Sequence, residues 1–271
     1  MTLLQAMDWK YPSLGLATLN GEIYVRHENK SNTEIAVYDT EAYRLQRTFL
    51  VPSLGGVTSM ASCQINQCTY IADFSNNVVH RVDNKHQVKQ WNVDDKPWSL
   101  SVNSLHNVLV TCREARIVKE FTTNGDPRRE VSLEEPIVNP HHAVELTPDQ
   151  LVVCHGGADD DQHRVCLVDM FGTVQKFYGG SKGSGCEQLN VPFRLAVKGV
   201  IFVEDLNNDR VLMLSPTLSL LREVVSGLNR PCRFWLDDDN DRLYIGVCEM
   251  KDRNCAGQVN VYGVESCNGT S

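Results

Sequence analysis

The stretch Val200–Ser215, VIFVEDLNNDRVLMLS, places acids and asparagines between two apolar runs. Read alone, it is a candidate cation loop, a catalytic pocket or a turn. A second copy, TYIADFSNNVVHRVD at Thr69–Asp83, turns the question from chemistry to period. Self-similarity at roughly 20–50 residues specifies a whole architecture and takes precedence over any single site.

Laid along the chain, the pattern recurs in six units. The apolar strands EIYVRHE, CTYIADF, NVLVTCR, QLVVCHG, VIFVEDL and RLYIGVC place Val25, Ile71, Val110, Val153, Val203 and Ile245 at equivalent positions, 39 to 50 residues apart. Before most of them stands a proline followed by a semi-apolar run: Pro12, Pro97, Pro140, Pro192 and Pro231, with Gly56 at the matching place in the second unit. Proline suits the first residue of a strand, where no ladder donor is needed. After the polar loop come EIAVYD, VVHRVD, RIVKEFTT, HRVCLVD, RVLMLS and QVNVYG, and then usually a fourth strand such as QVKQWNV or TVQKFYG.

Four short strands per unit predict an all-β fold, a six-bladed β-propeller of four-stranded antiparallel blades. The apolar runs are more continuous than alternating, as expected of strands covered on both faces by neighbouring blades. A β-sandwich would show regular turn signals without this self-similarity. The blades fall at about 12–52, 56–93, 97–133, 140–180, 191–226 and 231–264, so residues 1–271 read as one propeller domain. The last unit stops after its third strand. Residues 2–9, TLLQAMDW, are predicted to supply the missing outer strand of blade six, closing the ring and removing two exposed edges.

With 42% apolar and 22% charged residues, the composition is that of a soluble globular protein. No apolar run reaches the length of about 18 residues that a membrane helix needs, so no membrane association is expected. A net charge of −8 weighs against nucleic-acid binding. The first residues, MTLLQAMDWKYPSLG, lack a basic start and an apolar h-region. There are ten cysteines but no Cys-x-x-Cys, which excludes zinc-ribbon and thioredoxin-type readings. Several lie in apolar runs, LVVCHG and VLVTC among them, where a thiol behaves as a small buried hydrophobe. Cys63 and Cys68 flank a turn and Cys248 and Cys255 flank a loop, and either pair can bridge in an oxidising compartment. The expectation is a reduced, cytoplasmic protein.

The segments IADFSNNVVHRVD and VEDLNNDRVLMLS resemble the NHL repeat: an apolar strand, an acidic residue, an Asn-rich loop, an Arg and another apolar strand. The resemblance is strong in blades two and five. Blade three has CREAR at this place, blade four HGGADDDQH, and blade six inserts EMKDRN. The chain is similar to the C-terminal NHL module of multidomain metazoan proteins, some of which carry it after a RING, a B-box and a coiled coil. No zinc-ligand ladder or heptad run is present here, so ubiquitin-ligase activity does not carry over. The resemblance implies a six-bladed propeller serving as a docking platform for a protein or, in some members, for single-stranded RNA.

Propeller ligands usually bind over the central channel, on the face where the inner strands begin. Trp98, Ser99, His141, His142, Phe193, Arg194 and Arg233 sit at those positions and make a candidate partner-binding rim, because Trp and Arg are favoured anchors. The functional expectation is a non-enzymatic, monomeric binding module that recognises a protein through this rim and needs no cofactor. Single-stranded RNA is the alternative, with Trp98 and Phe193 as stacking platforms. A metal-dependent lyase or lactonase is the second. It would draw on His141, His142, His155 and His163 with Cys154 or Cys166, although adjacent strand residues point to opposite faces. The acidic runs Gly156–Arg164 and Leu236–Leu243 lack EF-hand spacing and read as hairpin turns. Gly180–Gln188 is Gly-rich but precedes a strand, which excludes a helix-based phosphate cradle. Asn29-Lys-Ser31 and Asn268-Gly-Thr270 are glycosylation sequons. In the opening loop, Glu204 or Asp205 is expected to tether backbone or to pair with Arg210.

Overall fold

The computed structural model describes residues 1–9, 13–27, 34–228, 230–237, 240–251 and 254–264, with side chains at all of these except 8, 9, 13, 14, 27, 232, 233, 248–251 and 254–257. The sequons at Asn29 and Asn268 and the Cys248–Cys255 pair therefore lie outside the described residues. Among the described residues the chain forms 24 strands in six four-stranded antiparallel sheets. These residues include no α-helix, and Leu206–Asn208 forms a short 3-10 turn.

The inner strands are β2 (Ser13–Leu19), β6 (Val57–Cys63), β10 (Pro97–Val102), β14 (Pro140–Thr147), β18 (Pro192–Val197) and β22 (Pro231–Asp237). Each packs beside the next, and β22 beside β2, so the ring closes around an axis. The outer position of blade six is taken by β1 (Thr2–Trp9), which pairs antiparallel with β24 (Asn254–Gly263) from Thr2↔Gly263 onward. The predicted closure by residues 2–9 is observed.

Burial explains why these segments are strands. The second strands β7 (Cys68–Asp73), β11 (Val108–Cys112) and β19 (Ile201–Asp205) are buried at every residue. Each is covered on one face by the preceding blade and on the other by the following one, which calls for continuous apolar runs rich in Val and Ile. The fourth strands β5 (Leu45–Leu50) and β21 (Leu220–Val225) are largely exposed and carry polar residues. The described core divides into six clusters, one at each junction between blades. Thus Tyr70 and Val110 pack between blades two and three, and Val152 and Leu212 between blades four and five. Each fully buried Val, Leu or Ile stabilises the fold by roughly 1.5–3 kcal/mol relative to an exposed one, so the junctions hold the ring together.

Candidate functional site

All six inner strands share a feature that the propeller pattern alone does not announce. Each breaks register at its second residue, between Ser13 and Gly15, Val57 and Ser59, Pro97 and Ser99, Pro140 and His142, Pro192 and Arg194, and Pro231 and Arg233. Such bulges re-aim one side chain. In blades three, four and five the re-aimed residues are Trp98, His141 and Phe193, which meet on the face where the inner strands begin, here the proline face. Their ring centroids lie 6.3 Å (Trp98–His141), 4.9 Å (His141–Phe193) and 6.4 Å (Trp98–Phe193) apart. Phe74 joins at 5.8 Å from Trp98. The Arg113 guanidinium lies 4.9 Å from the Trp98 ring, and the Lys96 ammonium 5.0 Å from the Phe74 ring. A small cleft of about 200 Å³ runs between Phe74, Lys96, Trp98, Arg113, Glu114 and Asn139.

One step down the axis the chemistry changes. Arg194 reaches across the channel from blade five to blade two, where its Nη2 donates to the Thr58 carbonyl at 2.8 Å; its Nη1 donates to the His141 carbonyl at 3.3 Å. Its register partner on β19 is Glu204, which is fully buried. His142 bridges three blades: Nε2 donates to the Leu100 carbonyl at 3.1 Å, and the Leu195 N–H donates to Nδ1 at 3.1 Å. Those partners assign the tautomer. Burial, with the Arg194 charge beside it, pushes the His142 pKa down to about 3, so the ring is neutral at pH 7. The Ser101 hydroxyl donates to the Ala143 carbonyl at 2.8 Å, and the Trp235 indole N–H to Thr18 Oγ1 at 2.9 Å. Inner strands are sheet edges with backbone groups facing the axis, and side chains of adjoining blades satisfy them.

Beyond Arg194 the axis opens into a cavity of about 360 Å³ lined by all six inner strands. Arg194 and Thr58 mark its closed end, and none of the proline-face rings reaches it. An apolar collar of Leu16, Met60, Leu100, Leu195 and Phe234 follows. Gly15 lets Met60 pack closely against β2, since a Cβ there would lie 2.6 Å from Met60 Cγ. The mouth lies at the opposite, hairpin face, where the inner strands turn into the second strands, between Gln64, Ile65, His106 and Asp237. Ile65 and neighbouring Leu105 are 69% and 72% exposed on its lip.

The residues expected on one exposed rim are therefore divided. Trp98 and Phe193 are half-buried on the proline face, with His141 buried beneath them. Ser99 is buried in the wall, while His142 and Arg194 belong to the channel interior. The Arg233 side chain lies outside the described residues. Phe74, Arg113 and the collar were not singled out from sequence. Counting inward from the strand openings would have reached the collar: Leu100, Leu195 and Phe234 stand three residues after Pro97, Pro192 and Pro231, and Leu16 and Met60 four after Pro12 and Gly56.

The histidine–cysteine metal set that the second alternative would draw on is not assembled among the described residues. Among the described residues no three His, Cys, Asp or Glu side chains gather to hold an ion. His163 uses both nitrogens, Nε2 toward the Asp160 carbonyl at 2.8 Å and Nδ1 toward the Val191 N–H at 2.8 Å. Burial holds the Cys166 thiol protonated, pushing its pKa up to about 12. Cys63, Cys68, Cys112, Cys154 and Cys166 are all buried free thiols.

Residues 238 and 239 of the Leu236–Leu243 acidic run lie outside the described residues, and the carboxylates of the other acidic loops tether their own turns. Asp160 accepts from Asn139 Nδ2 at 2.8 Å and closes its own turn through the Gly157 N–H. Asp205 accepts the Asn190 N–H at 2.7 Å and Arg210 Nε at 2.8 Å, which settles the role left open between it and Glu204. Asp73 does the same in blade two, accepting the Gly55 N–H at 2.7 Å and facing His80 Nε2 at 3.2 Å. The Gly180–Gln188 loop packs onto blade five, where Arg210 Nη2 donates to the Gln188 carbonyl at 2.9 Å.

No protein-family model matches the sequence, and no curated protein matches it. Solved structures share the fold. Virginiamycin B lyase from Staphylococcus aureus superposes with a TM-score of 0.65 at 10% identity, over 96% of this chain and 89% of that one. A protein of unknown function from Bacteroides caccae gives 0.63 at 14% identity, over 89% and 85%. A chain of the nidogen/laminin complex gives 0.62 at 13%, over 79% and 80%. At these identities the likeness shows the six-bladed fold alone. It also corrects the functional expectation: structures of this architecture include a lyase, so the fold gives no preference for non-enzymatic docking of a protein through the rim. The burial of Ser99, His141, His142 and Arg194 removes most of the surface that reading relied on.

Proposed function

We propose that this propeller is a small-molecule-binding protein whose site is the blind axial cavity opening on the hairpin face. The observation that carries the reading is the Arg194 bridge to Thr58, which closes one end of a cavity of about 360 Å³ and leaves the other open. Ligand sites are concave, largely apolar and furnished with a few fixed polar groups, typically about 300–1,000 Å³ in volume. Here the collar supplies the apolar wall, and Ser59, Ser101 and His142 the polar groups. The blade type we assign is the NHL repeat, on the shared tethering role of Asp73 and Asp205.

A fragment screen by ligand-observed NMR tests this, with Ala196→Trp as the control that fills the cavity from β18. Fragments that bind the wild type and are lost in Ala196→Trp support the site. Fragments unaffected by Ala196→Trp but lost in Trp98→Ala would move the site to the proline face.

A further inference from the structure

The cavity's two ends differ in a way that selects ligand chemistry, and this inference rests on the axial cavity being the binding site. We propose that the ligand is a slender, mainly apolar molecule that enters head first and carries a hydrogen-bond-accepting head, a carboxylate or a carbonyl, seated against Arg194.

Three observations carry it. The first is shape. The wall from Ser59 at the closed end to Cys63 at the mouth spans four residue steps of β6, a depth of roughly 13 Å at strand rise, and the channel is walled on all sides by the six inner strands. That favours an extended chain or a narrow ring system over a globular ligand. The second is the order of the lining along that depth. Polar groups sit at the closed end, the collar of Leu16, Met60, Leu100, Leu195 and Phe234 follows, and the exposed Ile65 and Leu105 stand outside the mouth. Between collar and lip the lining hydroxyls are already engaged: Ser62 donates to the Thr18 carbonyl, Ser101 donates to the Ala143 carbonyl, and Thr18 Oγ1 accepts the Trp235 indole N–H. An apolar body therefore fits that stretch, and the positive charge lies at the closed end.

The third is the sign of the donors. Arg194 and Ser59 both line the closed end, where the guanidinium donates to the Thr58 and His141 carbonyls and lies 4.6 Å from the Phe193 ring, so the positive charge is fixed at that end. Ser59 Oγ already accepts the Leu100 N–H at 3.2 Å, so its own hydrogen is the part left to give. His142 is held as a neutral ring with both nitrogens used, so it adds no charge. Arg194 carries only hydrogen-bond donors, and Asp237 stands at the mouth. An accepting head is satisfied deep in the channel. An ammonium head would meet a guanidinium there and would be held at the mouth by Asp237 instead. A neutral carbonyl offers the same accepting lone pairs as a carboxylate, so either head suits the donors at this end.

The test is a head-group series on the wild-type protein: octanoate, octan-2-one and octylammonium, titrated by calorimetry. Trp235 fluorescence serves as a second readout, with Trp235→Phe identifying the signal. Octanoate and octan-2-one should bind at least tenfold more tightly than octylammonium, and Arg194→Met should abolish that preference. If Arg194→Met does not fold, the wild-type series decides alone. Octylammonium binding as tightly as octanoate, with both lost in Ala196→Trp, would overturn the head-group assignment while leaving the cavity as the site. Failure of all three probes, together with no NMR fragment sensitive to Ala196→Trp, would overturn the site itself.

Discussion

At the proline face the six inner strands each begin with a register break, and in three successive blades the break turns a large ring onto the axis. At the hairpin face the same strands end in tight turns whose side chains leave the axis open. The proline face buries Trp98, His141 and Phe193 against one another and is sealed beneath by Arg194. The hairpin face leaves Ile65 and Leu105 in solvent beside an open mouth. One end thus spends its aromatic and basic residues on structure, and the other holds the accessible volume. Large, conspicuous side chains marked the closed end; small and aliphatic ones line the site.

The comparison can be broken most forcefully by acid. His141, His142 and His155 all belong to the proline-face half, and burial pushes their pKa values down to about 3, 3 and 4. A base whose folded pKa is depressed contributes stability above its unfolded value of about 6.5 and loses it as pH falls below that. Between pH 7 and pH 5 each should cost about 2 kcal/mol of unfolding free energy. Denaturant melts at both pH values would show it, and His142→Gln should recover about one such share. An unchanged midpoint at pH 5 would mean that these rings are not held neutral.

Next in size is the ring cluster itself. Phe193→Ala should destabilise by about 3 kcal/mol, as large-to-small changes at packed rings do, yet leave ligand binding within a few-fold once the protein is folded. Loss of binding out of proportion to stability would show that the two ends are not separate. The converse change is Ala196→Trp, in which binding should fall more than tenfold; because Ala196 also packs in the core between blades five and six, stability should fall by about 1–3 kcal/mol. Leu105→Ser on the lip is the smallest. Stability should stay within about 0.5 kcal/mol, and affinity for an eight-carbon probe should drop only a few-fold. Equal effects at Leu105 and at the collar would argue against a deep site.

Legibility followed the same divide. The blade period, the strand-opening prolines and the closing strand at residues 2–9 could all be read because burial between blades imposes a local, repeating apolar pattern. The loop around Asp205 was legible as repeat and turn, but not in its electrostatics. Asp205 is pushed above the usual carboxylate range, chiefly by burial, despite Arg210 beside it. At its counterpart Asp73 burial also pushes upward, but the bonds from His80, Gly55 and Asn76 together outweigh it and bring the carboxyl down to about 2. Both motifs read alike in sequence, and only the packing around them differs.

What the sequence determined by itself was the six-fold repeat and the way the ring is fastened, since strand period and edge pairing are written in neighbouring residues. What only the tertiary structure decided was which end of the channel is closed. That rests on Arg194 meeting Thr58 across 136 residues of chain and on bulges that turn three rings onto one face. Contacts across the axis join blades two and five, which no local pattern relates, so the position of the cavity emerged only when the ring was closed.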